Sequence, residues 1–387
     1  MSGERDELGR ALVAVLVART AINGALRVAY PFLPAIARGL DVSLGTLGAV
    51  IAVRNLGGLA APLGAWVAER RGRRLPMIVA VLAVAAGCFL TASAPWFWLA
   101  AVGIAVVGLA KPLFDVPMQA WFGDRASAGE RGRVYGITEL TWPLGIVIAV
   151  PASGLLIERY GWQVPFVLAG VLTTVGAGFV WRLIRSDRPE RRAARPLTMT
   201  RERLRLLGAV ALFSLSSESI FVVYGEWLET TVGLSVAAIG LFTTVVVAGE
   251  AAGEGTVALV ADRIGLRRMT LTGLAVSAVM YLLLGFAGGS VLSAALVVFL
   301  WVTSFELTVV AAIPLASGLA PESRDRLLSL LAVAIALGRA AGALASPALF
   351  VAGGMALSGL AAAGGSLGAV VLLSGVHDDR QRSRQAS

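Results

Sequence analysis

Two short basic stretches, AWVAERRGRR at residues 65–74 and ALVADRIGLRR at residues 258–268, decide the fold. When Glu69 is aligned with Asp262, alanine, valine, arginine and glycine residues recur at matching positions around the acid. Each stretch follows an apolar segment long enough to cross a membrane and is followed by another. The recurrence indicates that the chain contains two copies of one structural unit.

The composition is that of an integral membrane protein. The chain has 387 residues, of which 57% are hydrophobic and only 15% are charged, whereas soluble domains carry roughly 25% charged residues. Twelve segments have about the 20 apolar residues that a spanning helix needs: 11–37, 44–68, 75–94, 97–122, 133–157, 164–184, 205–228, 236–260, 269–288, 291–317, 327–351 and 355–375. We therefore predict an all-α membrane protein with twelve transmembrane helices in two six-helix, pseudo-symmetric bundles.

A polar break, RSDRPERRAARPLTMTRERL, divides the twelve segments into two sets of six. It predicts an N-terminal bundle at 1–184, a cytoplasmic linker at 185–204, a C-terminal bundle at 205–376 and a polar cytoplasmic tail at 377–387.

The basic residues predict the orientation, because they accumulate on the cytoplasmic side of membrane proteins. With both termini and the even-numbered loops in the cytoplasm, 26 of the 33 basic residues lie on that side, two lie outside and five lie within spans. We expect a bacterial inner-membrane protein whose basic face meets anionic lipid headgroups. The net charge of +9 is explained in this way, without nucleic acid.

Several functional classes are excluded by what the sequence lacks. The single cysteine, Cys88, rules out a disulfide framework and a cysteine-based metal site. The single histidine, His377, lies in the tail, so no histidine-based catalytic set can form within the spans. No phosphate-binding G-x-x-x-x-G-K-[ST] loop is present. We expect no enzymatic activity, cofactor or metal, and we expect a monomer.

The repeated stretches resemble the signature loop of the major facilitator superfamily, approximately G-x-L-A-D-R-x-G-R-R, between its second and third spans. Here Ala65 replaces the first glycine, Val67 the leucine and Glu69 the aspartate. The segment ERYGWQVPF at 158–166 is similar to the family's entry into the sixth span. The resemblance covers essentially the whole chain and implies a secondary transporter that binds substrate between its halves.

The resemblance implies a cytoplasmic gate formed by the two signature copies, which holds the outward-open state. Its residues here are Glu69, Arg70, Gly72, Arg73, Arg74, Asp262, Arg263 and Gly265. The acid could face the positive end of a helix or an arginine; the alternative is that these charges only set the topology. Motifs of the family's drug/proton antiporters are weak, because Ile104 stands where their fourth-span arginine would be and GIVIAVPASG at 145–154 only loosely echoes their fifth span.

Ionisable residues inside the spans are costly and usually functional. We predict a substrate and proton cavity lined by Arg19, Arg27, Arg54, Lys111, Asp115, Glu139, Glu218, Glu250, Glu306 and Arg339. Most lie about 12–21 Å from the cytoplasmic end of their span, and Glu139 lies at about 9 Å. The in-span charges sum to +2 in the first half and, with Glu254, to −3 in the second.

Lys111 is the only lysine in the chain, and it lies four residues before Asp115. Lysine can lose its proton when desolvated whereas arginine stays charged, so Lys111 could act as a proton or substrate switch. Alternatively, Lys111 and Asp115 neutralise each other, or Asp115 pairs with Arg19. Pro112 and Pro117 predict a kink in this span.

Glu218 and Glu306 are the strongest candidates for proton carriers. Each lies near the middle of its span among hydroxyl residues, which suggests a wet cavity, and an isolated carboxylate there could bind and release protons. The alternative is a structural pair with Arg339 or with a basic residue opposite.

The sequence thus predicts a secondary transporter that moves a small organic solute by alternating access, through proton-coupled export. An uptake symporter for a polar metabolite or a lipid flippase is the alternative within transport, and a non-transporting receptor or scaffold is the alternative outside it.

Overall fold

A computed structural model describes residues 2–126, 130–185, 197–320 and 323–376. The secondary structure of these residues is helical, without a strand among them. The linker residues 186–196 and the tail 377–387, with His377, lie outside the described residues. The all-α membrane fold predicted from the sequence is confirmed.

Nine α-helices form the first half of the chain. They are α1 (Ser2–Val28), α2 (Leu33–Gly39), α3 (Leu44–Asn55), α4 (Ala61–Arg71), α5 (Arg74–Ala92), α6 (Phe97–Arg125), α7 (Arg131–Glu139), α8 (Thr141–Tyr160) and α9 (Val164–Leu183).

Six α-helices follow in the second half. They are α10 (Arg201–Phe221), α11 (Tyr224–Thr230), α12 (Val236–Ile264), α13 (Leu266–Leu284), α14 (Val291–Leu319) and α15 (Arg324–Ser374).

Eleven helical segments among the described residues are long and apolar enough to cross a membrane. The last of them, α15, has 51 residues and is interrupted at Gly353 and Gly354, where φ of Gly354 is +61°. This interruption falls between the predicted eleventh and twelfth spans, so α15 supplies both.

Four predicted spans are interrupted rather than straight. One of them, the predicted seventh, breaks at residues 222–223 between α10 and α11, where there is no proline. Prolines explain the positions of the other three interruptions. A proline ring clashes with the carbonyl four residues earlier and ends the preceding helix. The first span breaks before Pro34, the second passes through a 3-10 segment at Leu56–Ala60 before Pro62, and the fifth breaks at Leu140 before Pro143. In contrast, α6 runs through Pro112 and Pro117 as one helix, and the kink predicted there stays a prediction.

Contacts divide the chain into two units: Met1–Arg192 with Ser235–Thr243, and Ala193–Leu234 with Thr244–Ser387. The core of the first unit is built around Phe114, Met118 and Trp121 of α6, and that of the second around Leu206, Phe213 and Leu315. Many large apolar side chains are exposed on the outer faces, such as Val171, Leu172 and Val175 of α9. A lipid environment accounts for that exposure.

Candidate transport site

Arg19 on α1 is the centre of a polar network in the first unit. Its Nε lies 3.0 Å from Oδ1 of Asp115 on α6, and its Nη1 lies 3.1 Å from Oε1 of Glu139 on α7. The same Nη1 donates to the carbonyl of Thr138 at 2.7 Å and reaches the hydroxyl of Thr141 at 3.3 Å. Arg19 is only 5% exposed, so one buried guanidinium connects α1, α6, α7 and α8.

Lys111 extends this network along α6. Its Nζ lies 2.6 Å from Oδ2 of Asp115 and donates to Oδ1 of Asn23 at 3.0 Å. Asn23 in turn donates from Nδ2 to the Thr141 hydroxyl at 3.3 Å. Both ion pairs considered from the sequence are therefore present at once, because Asp115 binds Lys111 with one oxygen and Arg19 with the other.

Aromatic rings accompany the other basic residues of the predicted cavity in the first unit. The guanidinium of Arg27 lies 4.2 Å from the centre of the Trp142 ring, and Nζ of Lys111 lies 5.6 Å from the same ring. Arg54 lies 4.5 Å from the Tyr30 ring and donates from Nη1 to the carbonyl of Leu26 at 3.1 Å. Such contacts stabilise a cation without neutralising it.

The second unit contains an interhelical ion pair. Oε2 of Glu218 on α10 lies 2.8 Å from Nε of Arg339 on α15. The Glu218 side chain is 1% exposed, whereas that of Arg339 is 36% exposed. The expectation of an isolated carboxylate at Glu218 was therefore wrong, and the pairing with Arg339 considered as its alternative is what the structure contains.

The serines around Glu218 are buried and donate their hydroxyls within their own helix. The hydroxyls of Ser216, Ser217 and Ser219 donate to carbonyls of their own helix, three or four residues earlier, at 2.7–3.2 Å. Helical serines commonly satisfy their hydroxyls in this way. Glu218 itself is buried and pairs with Arg339.

Glu250 on α12 and Glu306 on α14 are also buried, at 3% and 7% exposure. A methyl group on Gly253, one turn after Glu250, would lie 2.6 Å from Cβ of Glu306. The close approach of α12 and α14 thus brings Glu306 beside the turn of α12 that follows Glu250. Thr303 and Thr308, which flank Glu306, donate to carbonyls of their own helix at 2.8 and 2.9 Å.

In the first signature copy, Arg73 is the residue that forms an ion pair. Gly72 has a φ of +78°, a left-handed value that favours glycine, and ends α4. Arg73 then donates from Nη1 to the Ala120 carbonyl at 3.0 Å and lies 2.6 Å from Oδ2 of Asp124. Glu69 is exposed and makes no ion pair within the described part of the chain. The acid of this copy is therefore not the group that pairs with an arginine.

The second copy repeats the turn but not this ion pair. Gly265 has a φ of +90°, yet Leu266 follows where Arg73 follows Gly72. The end of α14 is held instead by Arg203 of α10, which donates twice to the Leu319 carbonyl, at 3.1 and 2.7 Å. Asp262 and Arg263 are exposed.

One anchoring contact is common to both copies. Arg74 donates from Nη2 to the carbonyl of Trp181, and Arg267 donates from Nη2 to the carbonyl of Ser374 at 2.6 Å. Both donors and both acceptors are separated by 193 residues. The two units therefore share a fold in which an arginine after the signature glycine holds the end of the last helix.

Comparison with known proteins identifies the family to which the chain belongs. The sequence model of the Major Facilitator Superfamily matches residues 15–210 and 206–387, almost the whole chain. The chain belongs to the major facilitator superfamily. It is an integral membrane protein of a transporter family.

Two relatives and one solved structure illustrate its place among major facilitator proteins. A putative uncharacterized transporter, YgaY of Escherichia coli K12, is 32% identical over 191 residues, which cover 47% of this chain and 46% of that protein. The match thus spans about half the length of that relative. Tetracycline resistance protein, class G, of Vibrio anguillarum is 29% identical over 305 residues, covering 72% of this chain and 74% of that protein.

The solved structure is that of a bacterial homologue of the human lysosomal transporter Spinster, in an inward-facing and unoccupied conformation. It has a TM-score of 0.75 and 16% identity, and it covers 95% of this chain and 94% of that chain. At this identity the likeness supports the major facilitator fold alone.

Sequence reasoning missed several partners of the polar network in this major facilitator protein. Asn23, Thr141 and the Thr138 carbonyl were not among the predicted site residues, although Asn23 lies four residues after Arg19 and hence on the same helix face. Asp124, the partner of Arg73, was also missed. Lone polar residues spaced at helical intervals from a buried charge are the signal that would have found Asn23.

Proposed function

We propose that this chain exports small amphipathic organic molecules across the bacterial inner membrane by alternating access, and that protons moving into the cytoplasm drive the export. Both termini and the central loop are cytoplasmic in this proposal. Its relative from Vibrio anguillarum is named for tetracycline resistance, and export of the drug is the simplest way in which a transporter gives resistance.

The observation that carries the proposal is the ion pair between Glu218 and Arg339. It joins α10 to α15 within the second unit, with the carboxylate at 1% exposure. A proton bound by Glu218 would cancel the attraction, and Arg339, which is partly exposed, would turn toward water. Proton binding would therefore change how tightly α10 and α15 are held together.

Coupling requires that the proton favours one conformation of the transporter over the other. A buried ion pair meets this requirement, because breaking it by neutralising one partner is costly, about 3–5 kcal/mol when a partner is removed.

The Arg19 network has a different role in our proposal. It contains two cations and two carboxylates and is balanced, so it anchors the first unit while its exposed member, Glu139, contacts water.

The proposed gate consists of the two signature copies. Arg73 with Asp124 and Arg74 with Trp181 hold helix ends in the first unit, and Arg267 with Ser374 does so in the second. We propose that these contacts stabilise each unit as a rigid body during the conformational change. The remaining members, Glu69, Arg70, Asp262 and Arg263, are exposed and in this proposal serve orientation.

Direction and coupling can be tested together with everted membrane vesicles, whose outer surface is the cytoplasmic face. With tetracycline as the first probe, an acidic lumen should drive accumulation of the drug in the lumen, and nigericin with potassium should abolish it. Vesicles from cells without the protein are the control. Accumulation that survives collapse of the pH gradient would contradict proton coupling, and accumulation in right-side-out vesicles with an acidic exterior would support an uptake symporter instead.

A further inference from the structure

The first unit holds more positive than negative charge within its spans. Four cations, Arg19, Arg27, Arg54 and Lys111, face two carboxylates, Asp115 and Glu139. Both carboxylates make ion pairs with Arg19 or Lys111. These six ionisable residues therefore have a net charge of +2.

Arg54 carries part of that excess in a buried position. It is 5% exposed, and its contacts are the Leu26 carbonyl at 3.1 Å and the Tyr30 ring at 4.5 Å, neither of which bears a negative charge. It lies in the last turn of α3, whose carbonyls contribute at most about half a unit of negative charge. The guanidinium is thus desolvated without full compensation in the protein described here.

Gly108 of α6 packs closely against Arg54. A methyl group on Gly108 of α6 would overlap Cγ and the carbonyl oxygen of Arg54. The absence of a side chain at Gly108 therefore makes room for Arg54 between α3 and α6. A cation that only marked topology would not need such a fit deep in a span.

Two more cations lie on the helices that Arg54 contacts, Arg27 on α1 directly after Leu26 and Lys111 one turn after Gly108 on α6. Leu26, which accepts the hydrogen bond of Arg54, precedes Arg27, and Arg27 lies over the Trp142 ring that also faces Lys111. We call Arg27, Arg54 and Lys111, with Tyr30 and Trp142, the cationic corner. It combines guanidinium groups, which match a carboxylate in shape and charge, with two aromatic rings that suit an apolar body.

We propose that the cationic corner binds an aromatic carboxylate, which makes anionic aromatic molecules the substrate class of this transporter. The inference rests on the proposed export function, since it names what that function moves. The carboxylate would pair with Arg54 and Arg27, and the ring would pack beside Trp142 and Tyr30. Binding would neutralise the charge of Arg54, which lies buried against uncharged groups.

The test is equilibrium binding to the purified full chain in a neutral detergent, with no gradient present. The probes are 1-naphthoate, its neutral isostere 1-naphthamide and the cation 1-naphthylmethylammonium. We expect 1-naphthoate to bind at least about tenfold more tightly than either of the others, since one added charge-assisted contact has that worth. Equal affinities of 1-naphthoate and 1-naphthamide for the wild-type protein would overturn the proposal without any variant.

Variants locate the site. Arg54→Gln and, separately, Arg27→Gln should reduce the preference for 1-naphthoate over 1-naphthamide toward unity, while Arg182→Gln, at the exposed end of α9, should leave it unchanged. If folded Arg54→Gln and Arg27→Gln both keep the wild-type preference, the anion binds elsewhere and the assignment to the corner is wrong. Because binding needs no gradient, loss of proton-driven transport with intact 1-naphthoate preference would contradict the proposed function alone.

Discussion

Arg74 in the first unit and Arg267 in the second make the same contact with the end of the last helix of their unit, 193 residues apart at both donor and acceptor. The same shift carries Glu218 and Arg339 back to Ala25 and Ile146, which are uncharged. The Glu218–Arg339 pair therefore has no counterpart in the first unit. The repeat has kept the contacts that hold helix ends, and the charges in the middle of the spans were placed separately in each unit.

The two mid-span arrangements also differ in how they would respond to one proton. In the first unit Arg19 binds two carboxylates and Asp115 binds two cations, so Arg19 keeps one carboxylate partner when the other is neutralised. In the second unit neutralising Glu218 removes the ion pair that joins α10 to α15. This contrast suggests that the first arrangement serves as an anchor and the second as the site of coupling.

The largest effect should follow from removing the centre of the anchor. Arg19→Gln leaves Asp115 and Glu139 without their guanidinium and should destabilise the protein by about 3–5 kcal/mol, the cost of breaking a buried ion pair. Thermal or denaturant unfolding in detergent measures this effect, with the exposed Arg182→Gln as the control. A folded Arg19→Gln protein within about 1 kcal/mol of wild type would show that the network is not an anchor.

Close helix contacts should matter equally in both units. Methyl groups on Gly108 and Gly338 would overlap backbone carbonyl oxygens, of Arg54 and Ala211 respectively. Gly108→Ala and Gly338→Ala should each cost about 1–3 kcal/mol through overpacking. The matched controls are Gly178→Ala and Gly364→Ala, whose added methyl groups would meet nothing within 4 Å. If the test and control variants unfold alike, close glycine packing does not set the stability of either unit.

The repeated helix-end contact predicts two small and equal effects. Arg74→Ala and Arg267→Ala each remove hydrogen bonds to helix-end carbonyls and should each lower stability by about 0.5–1.5 kcal/mol. The Arg74 variant also loses the Trp181 ring, 4.7 Å from its guanidinium. Unfolding measurements on the two variants side by side would reveal a difference, and an effect confined to one unit would break the equivalence of the copies.

The smallest effect is expected for Lys111→Arg. Because Lys111 acts in the structure as an ion-pair partner of Asp115 and a donor to Asn23, arginine should sustain transport within about threefold of wild type. Rates measured across a range of pH values would test this expectation, with Lys111→Met as the variant that removes the charge. A Lys111→Arg protein that binds substrate but loses the pH dependence of its turnover would establish Lys111 as a proton switch.

The fold could be read from the sequence because hydrophobic length and basic loops specify spans directly. The breaks at Pro34, Pro62 and Pro143 were equally readable, since each follows from the chemistry of proline, although the spans were predicted as continuous. The partners of the charges were harder to predict. Arg19 donates a hydrogen bond to the backbone carbonyl of Thr138, and the serines near Glu218 donate to carbonyls of their own helix. The residue types in the sequence do not indicate either acceptor.

The Glu218–Arg339 pair could be predicted only in part from the sequence. Arg339 is the only basic residue in the interior of a predicted span of the second half, since Arg205 stands at the first position of its span. A pair between Arg339 and Glu218 or Glu306 was therefore the alternative considered from the sequence. Which acid Arg339 pairs with depends on the side-by-side packing of α10 and α15, and that packing comes from tertiary contacts that periodicity cannot reveal.

The most direct test of the account is gradient-driven transport by Glu218→Gln, which mimics the protonated carboxylate. Everted vesicles with an acidic lumen would be compared for wild type, Glu218→Gln and Glu229→Gln, a carboxylate at the end of α11, with tetracycline accumulation and gradient-free tetracycline exchange measured in parallel. We predict that Glu218→Gln abolishes accumulation but keeps exchange, and that Glu229→Gln keeps both. Accumulation by Glu218→Gln against the gradient, at the wild-type level, would contradict the assignment of coupling to the Glu218–Arg339 pair.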